Sequence, residues 1–359
     1  MDARSVFLKQ ITEAFGPPGM EDEVAAILRE RVAHFCEVSR DNIGSFIAEK
    51  KGSAEGPRIM VAGHMDEVAW MVTDLESGGY LRIRPLGGWW PHVMLGQRVI
   101  VRTAKGSFLG IIGSKPPHEL KEDERKKVLD WDDIFVDLGA AENFDVLEAT
   151  GVRRGDFVVP HAPYETLVNE KLSVVKAWDN RVGCALATDL LRELKDQDHP
   201  NTVFGVATVQ EEIGLRGADT SAYSVKPDIA FAVDVGLALD TPGSKKSEKN
   251  PERLGSGVSI LLLEGRAVAH PRLARFVMDV AEEEKIPYHA TSLGGGSTDA
   301  NRFQVAGAGV PSVAICVPSR YIHSHSSLIH RDDYDSALAL LTAVTKRLDE
   351  ETVRKIRGG

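Results

Sequence analysis

The chain has 359 residues, 43% of them hydrophobic and 27% charged, the balance of a globular protein with room for one large domain plus an insertion. Its 43 basic and 53 acidic residues leave a formal net charge of −10, which argues against nucleic acid as a partner, since that calls for a basic face. Cys36, Cys184 and Cys316 are far apart and form no CxxC pair, so neither a disulfide framework nor a thiolate zinc site is expected. The N-terminus lacks the basic and apolar regions of a secretory signal, and no apolar run approaches the roughly 20 residues of a membrane span. A cytoplasmic location and no membrane partner are the expectations.

Phe7, Ile11 and Phe15 recur at four-residue spacing and predict a helix, which Gly16-Pro17-Pro18-Gly19 ends. Glu21, Asp22 and Glu23 read as the first turn of a second helix, where acids suit the macrodipole. Val38–Lys50 reads as a hairpin. Arg58 then opens an apolar strand that ends in Gly63-His64-Met65-Asp66. With one residue between them, the His and Asp side chains share a side if the strand persists. A carboxylate behind an imidazole is the usual way to orient a metal ligand.

From residue 70 to 163 helical periodicity is scarce. Short β-like pieces separated by Gly- and Pro-containing turns predict an all-β, barrel-like insertion, with Gln97–Ile112 as a hairpin. Its exposed strands and the aromatic turn Gly87–His92 invite pairing with another copy. That turn reads either as a partner surface or as packing. Glu119–Asp130 predicts a short exposed helix, and His118 reads as a structural loop residue. Residues 1–69 and 164–359 are expected to form the catalytic domain around this insertion.

After Pro163 strands and helices alternate. A helix is predicted from Arg181 to Leu194, with Asp179 at its turn, where a helix cap is the ordinary reading. Val203–Val209 is a buried strand running into Glu211 and Glu212, which Gly214 and Gly217 follow. Alone this pair reads as a solvated turn. Buried, the two would oppose each other's ionisation, and cations would offset that. Pro227–Gly236 is a third strand and carries Asp234; Asp240–Pro251 reads as a mobile surface loop. A strand at Gly255–Leu263, a helix at His270–Lys285, a glycine-rich loop at Thr291–Asp299 and a strand at Val310–Val317 follow. The chain then reads Arg320-Tyr321-Ile322-His323-Ser324-His325 and ends in an amphipathic helix from Tyr334 to Val353. The fold class is α/β: an α/β/α sandwich with a mixed, largely parallel sheet, interrupted by the β insertion.

His64, Asp66, Glu211, Glu212, Asp234 and His323 thus fall at strand ends and Asp179 at a strand-to-helix turn. Repeated placement at one side of a sheet is where ligands collect. Without thiolates the set suits zinc, cobalt or manganese. It is too large for one tetrahedral zinc and suits two metals sharing a bridging carboxylate.

The segments GHMDEVAWMV, KAWDNRVGCA, VQEEIGLRGA, VDVG with DTPG, GGGSTDA and RYIHS occur in this order. Over almost the whole chain they resemble the tetrahedral (TET) aminopeptidases, dinuclear metallopeptidases that include glutamyl and deblocking aminopeptidases. The resemblance implies two divalent ions per subunit, zinc or cobalt, with manganese also accepted. Asp179 would bridge them, His64 and Asp234 would complete one site, and Glu212 and His323 the other. Glu211 would be the general base acting on a water between the metals, and Asp66 would orient His64. The Gly294–Asp299 loop would line the pocket for the N-terminal residue. Many relatives carry Pro two residues after the last ligand His; His325 stands there instead and is read as nearby structure. The implied substrates are short peptides, and the implied assembly is a homo-oligomer, dimers formed through the insertion and built into a tetrahedral dodecamer. Two alternatives stand beside this: a related amidohydrolase acting on N-acylated amino acids or as a carboxypeptidase, and a non-catalytic scaffold with a decayed site. Which N-terminal residue is preferred is not readable.

Overall fold

The structure, a computed structural model, describes residues 1–53, 55–244 and 252–358. Much of the stretch read as a mobile loop, Asp240–Pro251, lies outside the described residues. A sheet of 12 strands forms the backbone of the larger domain. At its centre Thr202–Thr208, Arg58–His64, Ile229–Leu237 and Ser312–Arg320 lie side by side and parallel. Their carboxyl ends therefore share one edge, where side chains from distant parts of the chain can converge. Antiparallel strands flank this core, among them the predicted hairpin of Glu37–Arg40 with Phe46–Lys51.

The strands are apolar on both faces because both are covered. In Arg58–His64, Ile59 and Val61 enter one layer while Met60 and Ala62 enter the other. Ala3–Glu13, Asp22–Val32, Trp178–Glu193, Pro271–Glu283 and Arg331–Arg347 cover the first face. Arg216–Val225 and Ala300–Phe303 cover the second. The last predicted helix is two: Arg331–Arg347 ends, and Asp349 caps a new helix, Glu350–Arg357, by accepting from the Thr352 amide. The charged Glu119–Asp130 segment is α-helical only over Glu122–Arg125, and Glu119 closes a 3₁₀ turn before it. No described helix is long and apolar enough to cross a membrane.

The insertion is a closed six-stranded barrel in the order Ala69–Leu75, Tyr80–Leu86, Phe135–Asp137, Gly106–Gly113, Arg98–Thr103 and Phe157–Pro160. Trp70, Leu81, Ile83, Val99, Ile112 and Val158 are among the residues that fill it. Closure pairs every strand on both sides, so the open edges expected from the sequence are absent. What remains for a partner is side chains: Leu109 and Ile111 on Gly106–Gly113 are both about half exposed.

One close approach sets the site. A Cβ on Gly63 would lie 2.4 Å from the Gly183 carbonyl carbon, so Trp178–Glu193 rests directly on the sheet at the end of Arg58–His64. Asn180 ties the helix start to the next strand, donating from Nδ2 to the Val233 carbonyl at 2.8 Å and accepting from the Gly183 amide at 3.0 Å. Gly63→Ala would force helix and sheet apart. The expected loss is about 1–3 kcal/mol, seen as a lower urea midpoint at unchanged slope.

Candidate metal centre

His64 closes its strand with the ring turned to the shared edge. Nδ1 lies 2.9 Å from the Asp66 backbone carbonyl and 3.4 Å from the Asp66 carboxylate. A carbonyl only accepts, so the Nδ1 proton is committed there and Nε2 is left as the ligating nitrogen. That Nε2 faces Asp179 Oδ1 at 3.1 Å. His323 repeats the arrangement. Its Nδ1 donates to the Gly88 carbonyl at 2.8 Å, and its Nε2 faces Asp179 Oδ2 at 3.4 Å and Glu212 Oε2 at 3.5 Å. Asp179 thus offers one oxygen to each imidazole. It is no helix cap: Asp179 and Asn180 are non-helical, the regular helix starts beyond them, and Asn180 caps it, its Oδ1 accepting from the Gly183 amide.

Glu211 and Glu212 lie beyond the strand, which ends at Thr208; Gln210, at φ 57°, turns the chain before them. Their separation into two directions therefore comes from a turn and not from strand alternation. Buried carboxylates hold this turn. The Glu211 amide donates to Asp66 Oδ1 and the Glu212 amide to Asp66 Oδ2, each at 3.0 Å. The Gln210 amide donates to Glu21 Oε1 at 3.2 Å, which also accepts from Gly19 at 2.8 Å. The helix begins one residue after Glu21, at Asp22, so Glu21 serves the turn and not the macrodipole. Nothing in the local pattern marks it, because its partner Gln210 lies 189 residues further along the chain.

Among the described residues three groups bring potential ligand atoms within 4.8 Å of one another: His64, Asp179 and Asp234; Asp179, Glu212 and His323; and His64, Glu211 and Glu212. The electrostatics are those of a buried acidic cluster short of cations. Burial, with the charges of His64 and Glu212 acting in opposite senses, leaves Glu211 holding its proton well above the carboxylate range. Burial and Asp179 push Glu212 up to about 8 and Asp234 well up. Burial opposes charge on the imidazoles, but Glu211 raises His64 and Glu212 raises His323 to about 10. Burial also opposes Asp179, yet its bonds to His323 and His64 hold it below the usual range. Protons here occupy places that divalent ions would fill. Glu212 Oε1 is buried without a hydrogen-bond partner, and the donors are imidazole nitrogens and carboxylate oxygens, so the residues fit two such ions.

The cleft over this centre has a volume of about 360 Å³ and is lined by His64, Asp179, Glu211, Glu212, Asp234 and His323. Gly295–Thr298 of the glycine-rich loop, Leu293 and Arg266 also line it. His325 is not in the ligand groups. It lies buried 5.6 Å from the rings of both Trp70 and Trp89, and burial lowers its pKa to about 4. His118 is exposed in the turn Pro117–Glu119. The aromatic turn of the insertion resolves into two parts. Trp89 stacks on Trp70 at 4.1 Å and donates to the Ala69 carbonyl at 3.1 Å, whereas Trp90 is 57% exposed. That packing aims the Gly88 carbonyl at His323, a role the sequence did not signal.

Residues 44–340 match the family model described as M42 glutamyl aminopeptidase. The chain belongs to the M42 peptidase family. It is 43% identical to a TET aminopeptidase from the marine sediment archaeon Thaumarchaeota archaeon SCGC AB-539-E09, with a TM-score of 0.95 over 98% of both chains. It is 36% identical over 354 residues to the glutamyl aminopeptidase of Lactococcus lactis subsp. cremoris, covering 98% of each. It is also 31% identical to the Pyrococcus horikoshii TET1 peptidase, with a TM-score of 0.85 over 96% of this chain and 100% of that one; that peptidase can assemble into a tetrahedron or a large octahedral shell. The M42 chain described here is accordingly a hydrolase of peptides.

A Cβ on Gly88 would lie 2.9 Å from His323 Nδ1. Gly88→Ala is expected to displace the ring and weaken the second ligand group, lowering metal affinity by about 10–100-fold, as loss of an outer partner does. Metal content after dialysis, measured by mass spectrometry, checks this.

Proposed function

We propose that the chain is a metal-dependent aminopeptidase that removes N-terminal residues from short peptides. The supporting observation is the posture of Asp179, with Oδ1 toward His64 Nε2 and Oδ2 toward His323 Nε2. In this reading His64 and Asp234 hold one divalent ion, Glu212 and His323 the other, and Asp179 both. Zinc and cobalt suit the donor set, and manganese is accepted by the same ligands. When bound, such ions polarise the scissile carbonyl and make water a better nucleophile at neutral pH.

Glu211 is the base. Its Oε2 stands 3.7 Å from His64 Nε2, beside the ligands. It takes a proton from the attacking water and delivers it to the departing amine nitrogen. Asp66 keeps the Glu211–Glu212 turn in place through both amides, and its carbonyl fixes the His64 ring. Gly295–Thr298 and Leu293 wall the space for the N-terminal side chain. The three cysteines are buried and unpaired, in keeping with a reducing cytoplasm.

The test separates the two glutamates. Glu211→Gln should lower kcat by about 10²–10⁴-fold with both metals retained. Glu212→Gln should lose metal from one site. Chelation should abolish hydrolysis of aminoacyl-nitroanilides, and Co²⁺ or Zn²⁺ should restore it. An active Glu211→Gln enzyme would remove Glu211 from the role of base.

Residues 70–163 are proposed to form the dimerisation module, with Leu109 and Ile111 in the contact, and the dimers to build a tetrahedral dodecamer. The behaviour of the Pyrococcus horikoshii relative supports a closed shell of this kind. Light scattering should give twelve subunits. Leu109→Glu with Ile111→Glu should give smaller particles, and a native monomer would refute the assembly.

A further inference from the structure

We infer that the groove between the barrel turn and the Tyr321–His325 segment binds the peptide on the leaving-amine side of the scissile bond, an inference that rests on the aminopeptidase reading. A cavity of about 580 Å³ lies here, larger than the cleft over the metal ligands. The two are separate but share Gly88, Ile322 and His323 in their walls. The His323 ring therefore stands between them, and a peptide passing the centre enters the groove as it leaves the cleft.

The division of space matches what removal of a single residue demands. The Gly295–Thr298 loop lines the smaller cleft, whose volume suits the one residue upstream of the bond. All remaining residues must lie on the other side, in the larger space. The groove's chemistry fits a chain of arbitrary sequence. Among the described residues that line it there is no Asp, Glu, Lys or Arg. Trp90 and Tyr321 expose 57% and 55% of their surface, and Trp90 lies against the His92 ring at 4.7 Å. Such aromatics give contact area at little entropic cost and accept varied side chains and peptide planes.

The turn that carries Tyr321 is built for position. Tyr321 and His323 both have left-handed backbone, at φ 61° and 54°. That conformation is costly for residues with a Cβ and persists when the surroundings hold it. Ser324 Oγ supplies part of the hold, donating to the Tyr321 carbonyl at 2.7 Å and lying 2.9 Å from the Ser326 carbonyl. The same strained turn thus presents a candidate ligand to the cleft and an aromatic wall to the groove.

The experiment compares two substrates with the same N-terminal residue, an aminoacyl-nitroanilide and a tetrapeptide, on the intact metal-loaded protein. For Trp90→Ala and Tyr321→Ala the ratio of kcat/KM on tetrapeptide to kcat/KM on nitroanilide should fall about tenfold, the scale of one lost aromatic contact. A ratio unchanged in both variants overturns the groove, including where both substrates suffer equally or where particle size changes because Trp90 is covered by a second copy. A second readout needs no turnover. Titrating the Glu211→Gln protein with the tripeptide Ala-Phe-Ala should give a saturable tryptophan fluorescence change that adding Trp90→Phe removes; no change, or the same change with and without Trp90→Phe, overturns the assignment. If the metal-loaded native protein hydrolyses neither substrate, the aminopeptidase reading fails instead.

Discussion

Four carboxylates and two imidazoles, all but His323 largely withdrawn from solvent, line one cleft of about 360 Å³, and most of the architecture follows from keeping them there. Like charges in a low-dielectric site repel and lose hydration. Asp179, Glu211, Glu212 and Asp234 can share the shelf only if protons or cations compensate them. The upward shifts of three of these acids and of both histidines are two sides of that condition. A Glu212 oxygen without a partner is its geometric trace.

Holding such a cluster together needs rigid supports. One is the contact of Gly63 with Gly183, which presses a helix start onto the sheet and brings Asp179 beside His64. Another is the pair of buried acids, Asp66 and Glu21, that hold three successive amides of residues 210–212. Hydrogen bonds from amides to charged acceptors are stronger than neutral ones and resist rearrangement in a dry environment. Beneath them, Arg181 is fully buried and bonded to the Met65, Ile11 and Ala14 carbonyls and to Glu67, which also pairs with Lys176. This network ties the first helix to the His64–Glu67 segment, so residues with no chemistry of their own still serve the edge.

The barrel is more than an appendage. Its Trp89 packs on Trp70 and its Gly88 carbonyl engages His323. A displacement of the barrel turn would therefore be felt by the imidazole. The same turn walls both cavities, so the insertion and the candidate metal centre meet at one hydrogen bond and one left-handed loop.

The sequence by itself determined the fold class and the side-chain types available to the candidate site. Period-two and period-3.6 apolar patterns specify which segments are strands and helices, because each must bury a face, and so the α/β domain and the β insertion were legible. Acids and histidines at strand ends were legible too, since a parallel sheet brings those ends to one edge whatever the loops do. Tertiary structure alone decided how the parts meet. Barrel closure depends on pairing Ala69–Leu75 with Phe157–Pro160, a contact without local signature. The turn that separates Glu211 from Glu212 is held by Asp66 and Glu21 from far upstream, so their two directions come from these backbone contacts and not from the alternation along a strand that the sequence suggests. Gly88 and Glu21 escaped notice because they act through a carbonyl oxygen and through a partner's amide. Side-chain type records chemistry, while the geometry that aims it is written in backbone contacts between distant residues.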